Sequence, residues 1–120
     1  MAVRELLPTE LHEAEAILDQ ALLEFDRDRL LNPDSPGIRL GYILDDRLAG
    51  VAFVDECHIV AIAVRPRDRN QGIGRRLIDT ISERCETVTA TCEPRNREFY
   101  AALGFTLEAT GDGTLRATLH

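Results

Sequence analysis

Between residues 65 and 76 the chain sets Arg65, Arg67, Arg69, Arg75 and Arg76 around the run Gln71-Gly72-Ile73-Gly74, with Asp68 the one acid among them. Glycines lack the Cβ that keeps a backbone away from a ligand. Guanidiniums hold oxyanions through charge-assisted hydrogen bonds. The chemistry this spacing supports is the holding of a phosphate-like anion. The context strengthens it: the apolar run 57-CHIVAIAV-64 reads as a strand before the loop, and a helical pattern follows. The first turn of such a helix presents unpaired N–H groups and the positive end of its dipole. A dinucleotide-binding fingerprint would place a third glycine three residues after the second, where this chain has Leu77. The residues alone also allow a plainer reading, in which Gly72 begins a helix and the arginines are solvated.

Charge separates these readings further. Residues 65–76 carry +4 in a chain of net charge −7, which leaves −11 on the rest. A local basic spot on an acidic body suits a small anion and argues against nucleic acid, which needs an extended basic footprint. The acidic body in turn leans toward cationic acceptors. All 14 basic residues are arginine, so a phosphate loop of the GK[ST] type and Schiff-base chemistry on a lysine are both excluded. Cys57, Cys85 and Cys92 form no spaced pair, and their odd number argues against a disulfide framework. They read as buried small hydrophobes. His12, His58 and His120 are scattered, and no metal site is expected.

The elements that must position the loop can be read from periodicity. At 120 residues and 44% apolar content, residues 1–120 are expected to form a single domain. No run reaches the ~20 apolar residues of a membrane span. The opening 1-MAVRELLPTELHE-13 turns acidic too early for a leader, so the expected location is the cytoplasm. Residues 9–25 have a helical stripe of Leu11, Ala14, Ile17, Leu18, Ala21, Leu22 and Phe25, with Thr9 as the expected N-cap. The stretch 26–37 reads as a break, long enough for a mobile lip over a site. Strands are expected at 38–44, 48–54 and 57–64, joined as an antiparallel meander through 45-DDR-47. A helix follows at 72–84, a strand at 86–91 and a helix at 94–103, opened by Pro94 and capped by Gly104. A hairpin, 105–110 and 114–119, closes the chain around Gly-Asp-Gly. The order is β-α-β-β-β-α-β-α-β-β, an α/β (α+β) fold on a mixed sheet.

With these elements in place, 62-IAVRPRDRNQGIGRRL-77 resembles motif A of the GCN5-related N-acetyltransferases (GNAT), whose R/Q-x-x-G-x-G/A loop answers to Arg69-Asn70-Gln71-Gly72-Ile73-Gly74. The segment 96-NREFYAALGF-105 resembles their motif B. The resemblance implies the GNAT fold, in which the strand at 57–64 splays from its parallel neighbour at 86–91. It implies acetyl-CoA (CoA) as cofactor and transfer of the acetyl group to a primary amine, from a small molecule or a protein, by direct attack on the thioester. The loop residues Arg69, Asn70, Gln71, Gly72, Ile73, Gly74 and Arg75 then hold the CoA pyrophosphate, with Arg76 a further phosphate contact. Backbone groups of Ile62, Ala63 and Val64 pair with the pantetheine arm, and an N–H among them stabilises the oxyanion. Asn96 answers to a motif B cofactor contact.

The resemblance also names catalytic candidates. Tyr100 matches the general acid that protonates the CoA thiolate, a role that needs a phenol within hydrogen-bond reach of sulfur. His58 stands six residues before Val64, where one branch of the family has a carboxylate base, and an imidazole titrates in the useful range. Glu56, Glu93 or a water are the alternative bases. A homodimer is a family analogy. Two other functions compete with catalysis: a non-catalytic acyl-CoA-binding or sensor module of the same fold, and a nucleotide-phosphate binder of another fold.

Overall fold

Two tight turns build the centre of the sheet. β2 (Ile38–Leu44), β3 (Arg47–Asp55) and β4 (His58–Val64) run antiparallel in sequence order. Their turns place Asp45 and Asp46 at φ 51° and 62°, and Glu56 and Cys57 at φ 50° and 64°. Two successive left-handed residues make a type I′ turn, whose twist matches the strands it joins. Neither turn contains glycine, but Asp45 and Asp46 are themselves turn residues, whereas Glu56 and Cys57 carry no turn signal in the sequence. The molecule is a computed structural model that describes residues 2–20 and 26–120.

Among the described residues the sheet has seven strands in the order β1-β2-β3-β4-β5-β7-β6. β1 (Val3–Glu5) pairs with β2, and β7 (Leu115–Leu119) lies between β5 (Val88–Cys92) and β6 (Thr106–Ala109). All pairings are antiparallel except that of β4 with β5. One face is covered by α3 (Ile73–Ser82) and α4 (Arg97–Ala102), with Ile73, Leu77, Ile78, Ile81, Tyr100 and Leu103 buried against Ile59, Ile62, Val64, Val88 and Ala90. α1 (Leu11–Gln20) and α2 (Arg27–Leu31) cover the other face, where Ala14, Ile17, Leu18 and Leu30 meet Val51, Phe53, Ala61 and Ala63. No described helix is long and apolar enough to cross a membrane.

The mixed α/β fold and its element order match the expected one, with one helix more. Asp26 caps α2 by accepting from the Arg29 N–H at 3.2 Å, so the segment expected as a loose lip is partly helical. Arg39 fastens the rest. It donates to the carbonyl oxygens of Leu30, Arg29 and Asn32 at 2.9, 2.6 and 2.8 Å, and its guanidinium lies 4.8 Å from the centre of the Phe53 ring. Thr9 is not the cap of α1. It lies inside a short 3₁₀ turn, Pro8–Glu10, whose first N–H groups are met from Glu10: its carboxylate accepts from Leu7 N–H at 2.7 Å and pairs with Arg4 at 2.8 Å. Ala21, Leu22 and Phe25 of the expected stripe lie outside the described residues.

The cysteines are the main correction. Cys57 and Cys85 form a disulfide, with Cα atoms 5.9 Å apart, and Cys92 alone is a free, buried thiol. The chain leaves α3 at Ser82 and returns beneath the β3–β4 turn, so two cysteines 28 residues apart become neighbours. Spacing along the chain carries no sign of that contact.

β4 and β5 pair at two positions only, His58↔Thr89 and Ile59↔Ala90. Immediately beyond, the β3–β4 register slips: Val54 faces Ile59 and Phe53 faces Ala61, so Val60 is an extra residue. A bulge of this kind bends its strand and ends pairing. From Val60 to Val64, β4 therefore runs on without β5 beside it.

Candidate active site

The opened edge of β4 leads into a cleft of about 720 Å³ lined by Ile62, Ala63, Val64, Asp68, Arg69, Asn70, Gly72, Ile73, Gly74, Arg75, Asn96 and residues of α4. Alternation along β4 decides what the edge offers. Arg65 N–H donates to Ala49 O on β3 at 2.8 Å, so Arg65 faces β3. Ile62 and Val64 then turn their backbone N–H and C=O groups the other way, into the cleft. Val64 O is met by Arg69 Nε at 3.3 Å; the remaining groups are open for a ligand.

At the end of this edge the loop turns into α3. Asn70 and Gly72 have φ 65° and 78°, left-handed values that suit asparagine and glycine. A Cβ on Gly72 would meet nothing within 4 Å, and one on Gly74 would lie 3.6 Å from the Phe99 ring. The first intrahelical bond runs from Arg76 N–H to Gly72 O at 3.0 Å. The N–H groups of Ile73, Gly74 and Arg75 thus have no acceptor within the helix. The first turn contains no acid and carries Arg75 and Arg76, the unfavourable sign for a helix N-terminus. An anion seated there relieves both conditions, so the cradle fits a phosphate group.

Three of the five arginines in this segment are already engaged. Arg65 donates to Leu48 O at 2.7 Å and pairs with Glu13 at 3.2 Å, Arg69 holds Val64 O, and Arg75 caps α4 by donating to Ala102 O at 2.9 Å. Asp68, 2% exposed, is bound by both Arg47 guanidinium nitrogens, one at 2.6 Å. That pair was not anticipated, although a single acid among five arginines was visible. The Arg47 hydrogen bonds hold the Asp68 carboxyl below its ordinary value of 3.8, helped by the charges of Arg67 and Arg65. A depressed folded pKa stabilises the fold above the unfolded value, and that contribution vanishes as pH falls through the folded one. Replacing Arg47 with Met is therefore expected to lower the thermal midpoint at pH 7. The deficit should shrink as the pH drops below 3.8, measured by circular dichroism melts across that range.

Tyr100 sits on α4 with its ring edge-on to Phe99 and Phe105 at 5.2 and 5.3 Å. Its ring is buried, yet its hydroxyl bonds to none of the described residues. No buried side-chain polar atom among them lacks a partner, so the hydroxyl is open to the cleft it lines. Burial pushes the phenol's pKa well above its usual value, and the nearby Cys92 adds to this. Asn96 caps α4 without a side-chain bond and also lines the cleft. Gln71 is exposed outside it.

His58 is not part of this cleft. Ile59 belongs to the core under α3, so His58 points from the opposite face of the sheet, where one ring nitrogen, Nδ1, lies 2.8 Å from Thr89 Oγ1. Burial and the charge of Arg116 lower its pKa, and Asp55 opposes them. Glu56 is exposed in the β3–β4 turn, and Glu93 is held by Arg95 at 2.8 Å. The cleft adds Asp68, Glu98, Phe99, Ala102 and Leu103 to the expected set.

A mixed sheet parted between its two parallel strands, with a glycine loop and helix N-terminus at the end of the opening, defines an acyltransferase architecture of one type. Residues 37–107 match the family described as acetyltransferase (GNAT) domain. The chain belongs to this GNAT family and is an N-acetyltransferase. Its fold is shared with the ribosomal-protein-S18-alanine N-acetyltransferase of Escherichia coli (22% identity, 98% of this chain and 91% of that one, TM-score 0.74). It is shared also with the paia N-acetyltransferase of Thermoplasma acidophilum in complex with coenzyme A (15%, 97% and 96%, 0.71). A third example is yncA of Salmonella typhimurium with its cofactor acetyl-CoA (18%, 100% and 93%, 0.70). At these identities the likeness is one of fold.

Proposed function

We propose that residues 1–120 act as one domain that moves the acetyl group of acetyl-CoA to a primary amine by direct attack on the thioester. The observation that carries this is the unpaired edge of β4 running into a helix N-terminus that lacks a counter-anion. When bound, acetyl-CoA supplies an activated carbonyl and a thiol leaving group. The α3 N–H groups with Asn70 and Gly72 hold its pyrophosphate, Arg67 and Arg76 add charge, and Ile62 and Val64 pair with its arm. A backbone N–H of that edge stabilises the charge that develops on the carbonyl oxygen. As the C–S bond breaks, Tyr100 donates a hydrogen bond to the departing sulfur, which leaves as the thiol by taking up the proton that the attacking nitrogen sheds as it becomes an amide. His58, on the far side of the opening, takes the proton of the incoming ammonium through the ring nitrogen that does not face Thr89.

Isothermal calorimetry with acetyl-CoA, then acetyl-transfer assays over an amine panel, test the reading. Micromolar binding with turnover is expected; binding without turnover on any amine would instead establish a sensor module, and equal competition by ATP a general phosphate binder. The chain has no lysine, so side-chain self-acetylation contributes no background. The base assignment has its own signature. With its pKa lowered, His58 is neutral at pH 7, and kcat/KM should lose activity only below the ordinary imidazole value of about 6.5. His58→Ala should replace the plateau above that point by a rise continuing to the amine's own pKa. An unchanged profile would exclude His58 as base.

A further inference from the structure

Among the described residues, α1 and α2 cover the face of the sheet opposite the cleft only in part, and the buried core beneath them draws on β3 and β4 and on no residue of β5, β6 or β7. Along β5, Val88, Ala90 and Cys92 are buried under α3 and α4, which turns Thr89 and Thr91 to this opposite face. On β7, Leu115 and Ala117 are buried likewise, which turns Arg116 and Thr118 the same way. Register then lays out two rows: His58, Thr89 and Thr118 in one, Thr91 and Arg116 in the next. The parting of β4 from β5 begins between these rows, just past Ile59 and Ala90. Thr91 therefore borders the opening, and Arg116 stands beside it.

The charges around this mouth are unequal. Asp55, the acid that acts on His58, is bound by Arg29 Nη2 at 2.5 Å. Glu93, one residue beyond β5, is held by Arg95. Glu108 faces Arg116 across the β6–β7 pairing. Even so, Arg116 has no carboxylate within ion-pair distance among the described residues. Its charge is felt at the His58 ring. The mouth thus offers one uncommitted guanidinium and a group of hydroxyls, against the leaning of the chain's overall charge.

We propose that Arg116 selects the acceptor: the amine carries an anionic group, carboxylate or phosphate, which Arg116 binds while the amine reaches the opening. This rests on the acetyl-transfer reading above and specifies its substrate class. A guanidinium pairs with either anion through two parallel N–H···O bonds, and Thr91 and Thr118 supply further donors. A purely cationic diamine meets repulsion at the same place.

The test compares 4-aminobutyrate, its amide, phosphoethanolamine and putrescine as acceptors, with rates expressed per neutral amine. The two anionic compounds should exceed the amide and the diamine in kcat/KM by about tenfold or more, the contribution of one charge-assisted hydrogen bond. In Arg116→Gln that ratio should fall toward one, and Arg116→Lys should restore part of it. Unaltered melting of both variants would show that the fold is intact. A preference for putrescine, or an anion preference that survives Arg116→Gln, overturns the proposal. Should no amine turn over, calorimetry of 4-aminobutyrate on the CoA-saturated protein still decides. Binding lost in Arg116→Gln supports the anion subsite while the transfer reading fails, and no binding to the wild type rejects the subsite.

Discussion

Tyr100→Phe is expected to lower kcat about 100-fold, the lower range for loss of a positioned proton donor, while the dissociation constant for CoA changes less than about threefold. The hydroxyl makes no bond to the described residues, so its removal leaves no orphaned partner and the two T-shaped ring contacts persist. A packing role alone would leave kcat unchanged. Burial keeps the phenol protonated throughout the working pH range, which makes it a constant hydrogen-bond donor but a reluctant one for complete proton transfer. The loss in Tyr100→Phe should therefore be nearly independent of pH between about 6 and 9, since an unperturbed phenol titrates only near 10. In the proposed role the hydroxyl acts on the leaving sulfur and not on the acceptor, so the same factor should appear with every amine that turns over. Pre-steady-state release of CoA thiol, followed with a chromogenic disulfide, separates the chemical step from product release. A fall confined to CoA affinity would reject the assignment.

The second large effect concerns stability. Removing the Cys57–Cys85 bond, by reduction or by a double Cys→Ala exchange, should cost about 3.5 kcal/mol on the loop-entropy relation for a closure of this length. That is a large share of the roughly 5–15 kcal/mol that holds a domain together. Urea titration with and without reductant measures it. A thiol count gives an independent check: the unfolded, unreduced chain should show one reactive thiol, Cys92, and the reduced chain three. The bond ties the turn before β4 to the end of α3, remote from the loop at the other end of both elements. Acetyl-CoA affinity should therefore survive reduction at temperatures where the reduced protein remains folded.

The sequence made the fold legible wherever periodicity and turn residues agreed. The apolar run 57–64, the stripe Ile73-Leu77-Ile78-Ile81 and the Gly-Asp-Gly hairpin each fell within a few residues of the observed element. The cleft was legible through two motifs, because backbone amides and missing Cβ atoms depend on local spacing. Features that depend on distant segments meeting were not. The Cys57–Cys85 contact, the Arg47–Asp68 pair and the seat of Arg39 under α2 join residues 28, 21 and about 10 positions apart. None has a periodic or motif signature. His58 shows the boundary between the two cases. Its place at the head of β4 was readable, but the face it presents followed from the alternation of Ile59 and the bulge at Val60.

The two-residue pairing of β4 with β5 also has a mechanical meaning. Strands β1–β4 form one plate and β5–β7 another, and the ladder between them is a seam two rungs long. A ligand whose amide groups take the place of the missing rungs is, for the sheet, a replacement strand. On the proposed reaction, filling this seam would tie the two plates together, and release of the spent cofactor would leave them joined by the two rungs alone.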